Sequence, residues 1–187
     1  MRRRILRPLL FGSFALASVA LAASPAKANS PPKPAPLLVE AFKGMVGSWA
    51  CQGKFKKGDG TGETDSESTM VISAQLDGFT YSGTYQVPKS ELMPNGMQGQ
   101  ILWSYDSANR KLLEFFVDSY GGTGRGTSDG LQGDTLVWNE DQVLMGQAKK
   151  VRTTLRRSSP SEFELTFDAE GNGTWVNMGR NVCKKKK

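Results

Sequence analysis

The 187-residue chain contains no histidine. That absence removes the commonest general base, the Ser-His and Cys-His nucleophile pairs, a histidine-ligated haem and most zinc sites. Cysteine is almost as scarce, with Cys51 and Cys183 alone, so a single intramolecular pairing is open to them. Helical periodicity is missing after about residue 45, and so is an apolar run of the roughly 20 residues that a membrane-spanning helix needs. A basic surplus is missing too, despite first impressions. The formal charge is +6 from 24 basic and 18 acidic residues, but Arg2, Arg3, Arg4, Arg7 and Lys27 all lie in the first 28. Without them 19 basic face 18 acidic residues, and four of the 19 are the terminal run at 184–187. A nucleic-acid reader needs a basic face, and none is visible. Lys149, Lys150, Arg152, Arg156 and Arg157 cluster, but they alternate with Val151, Thr153 and Leu155 as on the wet side of a strand.

What is present begins with an export signal. The arginines at 2–4 and 7 precede an apolar run over 8–23, too short to span comfortably, and Ala26-Lys27-Ala28 supplies the small-x-small pattern of a signal-peptidase site. Cleavage is expected after Ala28, with Ala22 or Ala23 as the alternative, which places the mature protein in the periplasm or outside the cell. Arg2-Arg3-x-apolar-apolar-basic fits a twin-arginine leader, and an ordinary secretory signal with a rich basic region fits as well. The domain plan is then a cleaved signal over 1–28, a proline-rich linker over 29–36, one folded domain over 37–183, and a basic tail over 184–187. Prolines at 31, 32, 34 and 36 exclude helix or ladder from the linker.

After a short helix over 37–45, with Leu38, Phe42 and Met45 on one side, strands follow at steady spacing. They are expected over 47–55, 68–76, 79–87, 98–105, 111–120, 122–129, 135–139, 147–156, 162–168 and 174–183. Asp77-Gly78, Asp129-Gly130, Gly133-Asp134 and Gly171-Asn172-Gly173 separate them, and these residues accept the positive φ of hairpin turns. Short connections pair sequence neighbours antiparallel. An all-β antiparallel meander of about ten strands removes its open edges by closing into a barrel.

Gly47-Ser48-Trp49, on a first strand preceded by a short helix, resembles the glycine-x-tryptophan signature of lipocalins and the wider calycin group. From about Leu38 onward the chain is similar to an uncharacterised bacterial family of lipocalin-like domains, through that signature, the Leu76-Asp77-Gly78 turn and the Tyr105-Asp106 step. The last strand departs from the family pattern, carrying Asn177, Gly179, Asn181 and Cys183 in place of a regular alternation ending in arginine. The resemblance implies a closed or nearly closed lipocalin-like barrel with Gly47 and Trp49 in structural roles, Trp49 plugging one end.

In a closed meander the first and last strands are neighbours, which brings Cys51 beside Cys183. A disulfide fits an exported chain; two buried free thiols, or a frayed Cys183, are the alternatives. Tyr81, Tyr85 and Trp103 lie on aromatic faces of the third and fourth strands and are candidates to line a cavity for a small apolar or planar ligand. They serve equally as packing for one another. Arg125 stands among Gly122, Gly124 and Gly126: either the glycines make room inside, or Arg125 points inward to meet a carboxylate such as Asp118 or an acidic ligand.

Glu114 and Asp118 share a face with Leu112, Phe116 and Tyr120. The opposite face, Leu113, Phe115 and Val117, is cleaner in its apolar character, so the acids are expected to face water. Asp59, Glu63 and Asp65 lack EF-hand spacing, and read as a flexible hairpin rather than a calcium site. The function expected is a monomeric exported protein holding a small hydrophobic or amphipathic molecule in its barrel, with no catalytic residue, metal, cofactor or nucleic-acid partner. The alternatives are an envelope interaction module with a filled barrel and, more remotely, an enzyme using interior carboxylates.

Overall fold

Glycine-rich turns and period-two strands build almost the whole domain, as a computed structural model shows for residues 32–57, 61–91, 93–144 and 146–187. The expected leader over 1–28, and Asp59 of the rejected calcium hairpin, lie outside the described residues. Helix α1 (Pro36–Phe42) starts with proline in its first turn, where the missing N–H is no loss. Eleven strands follow: β1 (Gly47–Lys56), β2 (Glu63–Gln75), β3 (Thr80–Val87), β4 (Met97–Asp106), β5 (Lys111–Asp118), β6 (Thr123–Ser128), β7 (Leu131–Gln132), β8 (Thr135–Leu144), β9 (Gln147–Ser159), β10 (Glu162–Gly171) and β11 (Thr174–Lys185).

Their order is β6-β5-β4-β3-β2-β1-β11-β10-β9-β8-β7, and a further pairing of β6 with β8 closes the ring. Ten strands thus form a closed antiparallel barrel, and the two-residue β7 pairs only with the start of β8. The expected meander is present, with each strand of the ring bonded to its neighbour in sequence and β1 meeting β11 at the seam. The Asn172-Gly173 turn between β10 and β11 has φ values of 51° and 75°, which these two residues adopt cheaply.

Several boundaries differ from the sequence reading: α1 ends at Phe42 rather than 45, β5 stops at Asp118 rather than 120, and β9 and β10 run on to Ser159 and Gly171 rather than 156 and 168. Strand β2 begins at Glu63 rather than 68, β8 runs on to Leu144 rather than stopping at 139, and β11 continues to Lys185. Lys184 and Lys185 therefore belong to the barrel rather than to a tail, because they complete the register against Ala50 and Trp49.

Side chains of α1 fill one end of the barrel. Phe42 stacks on Tyr81 at 4.5 Å between ring centroids and leans on Trp103 at 4.9 Å. Trp49 is 1% exposed and meets Phe163 edge-on. The helix end would leave carbonyls unpaired, since the last turn has no intrahelical donors. Barrel side chains supply them: the Arg157 guanidinium donates to the Glu40 and Ala41 carbonyls at 3.1 and 2.6 Å, Lys185 Nζ to that of Gly44 at 3.0 Å, and Trp49 Nε1 to that of Met45 at 2.8 Å. Within the same layer Cys51 and Cys183 are disulfide-bonded, joining the first and last strands across the seam. Among the described residues no helix is long and apolar enough to cross a membrane.

Candidate functional site

Inside a barrel every second residue points inward, so the register between strands decides which of two faces is buried. On β5 it buries the face opposite to the one expected. Leu112 and Glu114 are buried and Phe116 half-buried, while Phe115 and Val117 are 46% and 53% exposed. The reason is pairing. Glu114 lies directly opposite Trp103, whose neighbour on the other side is Tyr81, and these two aromatics are already committed to the interior by Phe42. The expectation that Glu114 and Asp118 face water is therefore corrected for Glu114, and its indole partner repays part of the burial. Trp103 Nε1 donates to Glu114 Oε2 at 2.6 Å.

A second acid faces it. Glu114 pairs with Gly126, and Gly126 with Glu140 of β8, so the two glutamates flank one glycine on the inner wall. A Cβ at Gly126 would stand 2.7 Å from Glu140 Cγ, so the bare backbone there gives the second carboxyl its place. Glu114 is 8% and Glu140 5% exposed. Gln142 Nε2 donates to Glu140 Oε2, and Thr153 hydrogen-bonds the same carboxyl. Glu140 Oε1 has no hydrogen-bonding partner. Burial, and then the nearness of Glu140, push the Glu114 carboxyl up to about 8 against the opposing pull of the Trp103 hydrogen bond. Burial raises Glu140 as well, over the opposing hydrogen bonds from Thr153 and Gln142.

Asn181 looks inward from β11. Counted in either direction round the ring, β11 is the fifth strand from β5, so it stands on the opposite wall. Asn181 is 6% exposed, lies over Gly53, and has a side-chain oxygen without a donor.

Beyond this polar middle, towards the end away from α1, the interior is only half-buried. Tyr85 lies flat on Gly99, where any Cβ would overlap its ring, and Phe55 lies on Gly179 in the same way. Phe55 and Phe167 meet at 5.3 Å, and Phe116 covers Gly124. Burial, then Asp118 and Glu114, raise the Tyr85 hydroxyl, which stays protonated. Asp118 is occupied locally, accepting the backbone N–H groups of Tyr120 and Gly122 at 2.8 Å each. Two open recesses of about 540 and 580 Å³ lie at the surface around β8, β9 and the β10–β11 turn, sharing Ala148, Lys149 and Lys150, and neither is lined by Phe55, Tyr85, Phe116 or Phe167.

The four residues singled out for a cavity have three different fates. Tyr81 and Trp103 are buried in the packing beneath α1; Tyr85 lines the open half. Arg125 is on the outer face, beside Asp141, Val143 and Lys150 in one of the recesses, so its placement inside is corrected. The row of glycines around it makes room inside, because Gly124 and Gly126 accept the bulk of Phe116 and Glu140. Glu140 was missed because the polar run from Asn139 to Gln142 hid the end of its strand. The alternation Leu136, Trp138, Glu140, Gln142 is the signal that finds it. Among the described residues no group of acidic, cysteine or histidine side chains is arranged to hold a metal ion.

No protein-family model matches this chain, and no curated protein does. Solved structures do. The crystal structure of Rv2717c from M. tuberculosis is similar over 83% of this chain and 100% of its own length, at 15% identity and a TM-score of 0.61. That likeness shows the barrel fold. A de novo designed fluorescence-activating β-barrel covers 80% of this chain and 99% of its own at 13% identity, with a TM-score of 0.42. A redesigned β-barrel covers 79% and 96% at 15% identity, with the same score of 0.42.

Proposed function

We propose that the protein is an exported binding barrel that takes a small amphipathic molecule into the half of its interior away from α1. The observation that carries this reading is the division of that interior. One end is closed by α1 and packed solid with aromatic side chains, whereas Phe55, Tyr85, Phe116 and Phe167 stay half-buried around the other, as wall residues of an open site do. The disulfide supports export, since such bonds persist in oxidising compartments, and the glycine-x-tryptophan resemblance supports a lipocalin-like ancestry. The role proposed for Glu114 and Glu140 is binding. Acid–base catalysis uses two groups whose proton affinities are driven apart, and here burial drives both upward.

An environment-sensitive apolar dye tests the reading. The folded protein should bind it at one site and brighten it, and Phe167→Asp, which charges the open wall, should weaken binding at least tenfold while unfolding stays cooperative. Absence of saturable binding by the wild-type protein would point to a filled barrel. A second reading has its own support: Leu102, Phe115 and Val117 form an exposed apolar patch on the outer faces of β4 and β5. On that reading the barrel is an envelope module docking through its wall, and concentration-dependent self-association or partner capture lost in Val117→Lys would favour it.

A further inference from the structure

The polar middle of the barrel leaves two buried acceptors without a partner. Three donors meet the glutamates: the Trp103 indole on Glu114 Oε2, the Gln142 amide on Glu140 Oε2, and Thr153 on the Glu140 carboxyl. The two acceptors without a partner are Glu140 Oε1 and, three strands further round the ring on β11, Asn181 Oδ1, both on side chains more than nine-tenths buried. A buried acceptor without a donor costs about 1 to 3 kcal/mol, and one on an ionisable group more. A core selected for packing alone would have no use for two of them, one of them beside a second buried acid. An incoming molecule that brings donors removes the cost. A single positive charge between two carboxyls does so best, because charge-assisted hydrogen bonds are the strong ones and an ammonium carries three donors and no acceptor. The wall above, of Tyr85, Phe116, Phe55 and Phe167, suits an apolar body attached to that head.

We propose that the ligand of this barrel is an organic amine: an apolar or aromatic body held among Tyr85, Phe116 and Phe167, with a protonated primary ammonium seated against Glu114 and Glu140 over Gly126 and facing Asn181. This rests on the binding-barrel reading and narrows its ligand class. Lys149 pairs with Gln142 near the mouth of the same half, so an acidic guest would be held there, at the rim, rather than in the middle.

Two fluorescent probes of one body separate the ideas: dansylcadaverine, which ends in an ammonium, and its N-acetyl derivative, which is neutral. The wild-type protein should bind the ammonium probe at least tenfold more tightly than the neutral one. Glu140→Gln and Glu114→Gln should each remove most of that preference and leave affinity for the neutral probe within about twofold, while Asp141→Asn on the outer wall changes neither. Glu→Gln at these sites removes a buried ionisable group, so both variants should keep the wild-type melting temperature or exceed it. Equal affinities in the wild type, or a preference that survives both substitutions, overturns the amine proposal and leaves the binding barrel standing. Failure of both probes to bind overturns the two together.

Discussion

Burying a carboxyl first costs it its charge. Glu114, whose ordinary value is 4.5, is held up to about 8 inside the barrel by burial and by Glu140. The folded protein therefore keeps a proton that the unfolded chain gives up, and linkage fixes the direction of the effect. The contribution of this group to stability is present in full below about pH 4.5 and is lost progressively as pH rises through about 8. Glu140 is raised as well and acts in the same sense. The double variant Glu114→Gln, Glu140→Gln lacks both titrations. Its denaturation midpoint, followed from pH 4.5 to 8, should stay level relative to a wild-type midpoint that falls, with the double variant the more stable at pH 8. A constant difference across that range would mean that water reaches both carboxyls.

At the scale of elements, strands were legible wherever the inside is apolar. Trp49, Tyr81, Trp103, Leu112, Leu136 and Phe163 all lie in the layers near α1, and there the period of two in hydrophobicity locates strands and faces together. The open half has polar inward positions, and the same signal fails there. Ser66, Glu140 and Asn181 are buried where a reader of hydropathy expects solvent, so β2 starts earlier and β8 ends later than expected. On β5 two alternating faces were both apolar enough to be chosen, and only the partner strand decides between them. The candidate site thus fell where pattern reading is weakest, because it has polar groups at inward positions that folding alone would fill with leucine. A second element depended on a contact no local pattern shows. Arg157 was read as part of a wet face, yet it ties down the end of α1, 117 residues away from Glu40 in sequence. Arg157→Met should lose hydrogen bonds of a kind worth about 1.5 to 3 kcal/mol when one partner is charged. Hydrogen exchange at the Lys43 and Met45 amides should then quicken more than exchange in β10 and β11, since a helix held by its end opens locally first. Uniform acceleration everywhere would mean that α1 opens only with the whole barrel.

For the whole molecule the seam matters most. Cys51 and Cys183 stand opposite each other on β1 and β11, 132 residues apart in sequence, and the cross-link makes everything between them a covalent ring. Both flanks leave the barrel at the end covered by α1. Tension applied to the two ends of the domain would otherwise unzip β1 from β11 one hydrogen bond at a time, the weakest direction in which a sheet can be pulled. With the bond in place, the load should run from strand to strand through two sulfur atoms, and the barrel hangs beside the line of force without bearing it. In a single-molecule stretching experiment the oxidised domain should lengthen only by its short flanks, and a reducing agent should release roughly 45 nm more, the extended length of about 3.5 Å per residue over the 132-residue ring. For the binding barrel proposed above, this would make the binding half mechanically silent: a bound guest would feel no strain, however hard the ends are drawn apart.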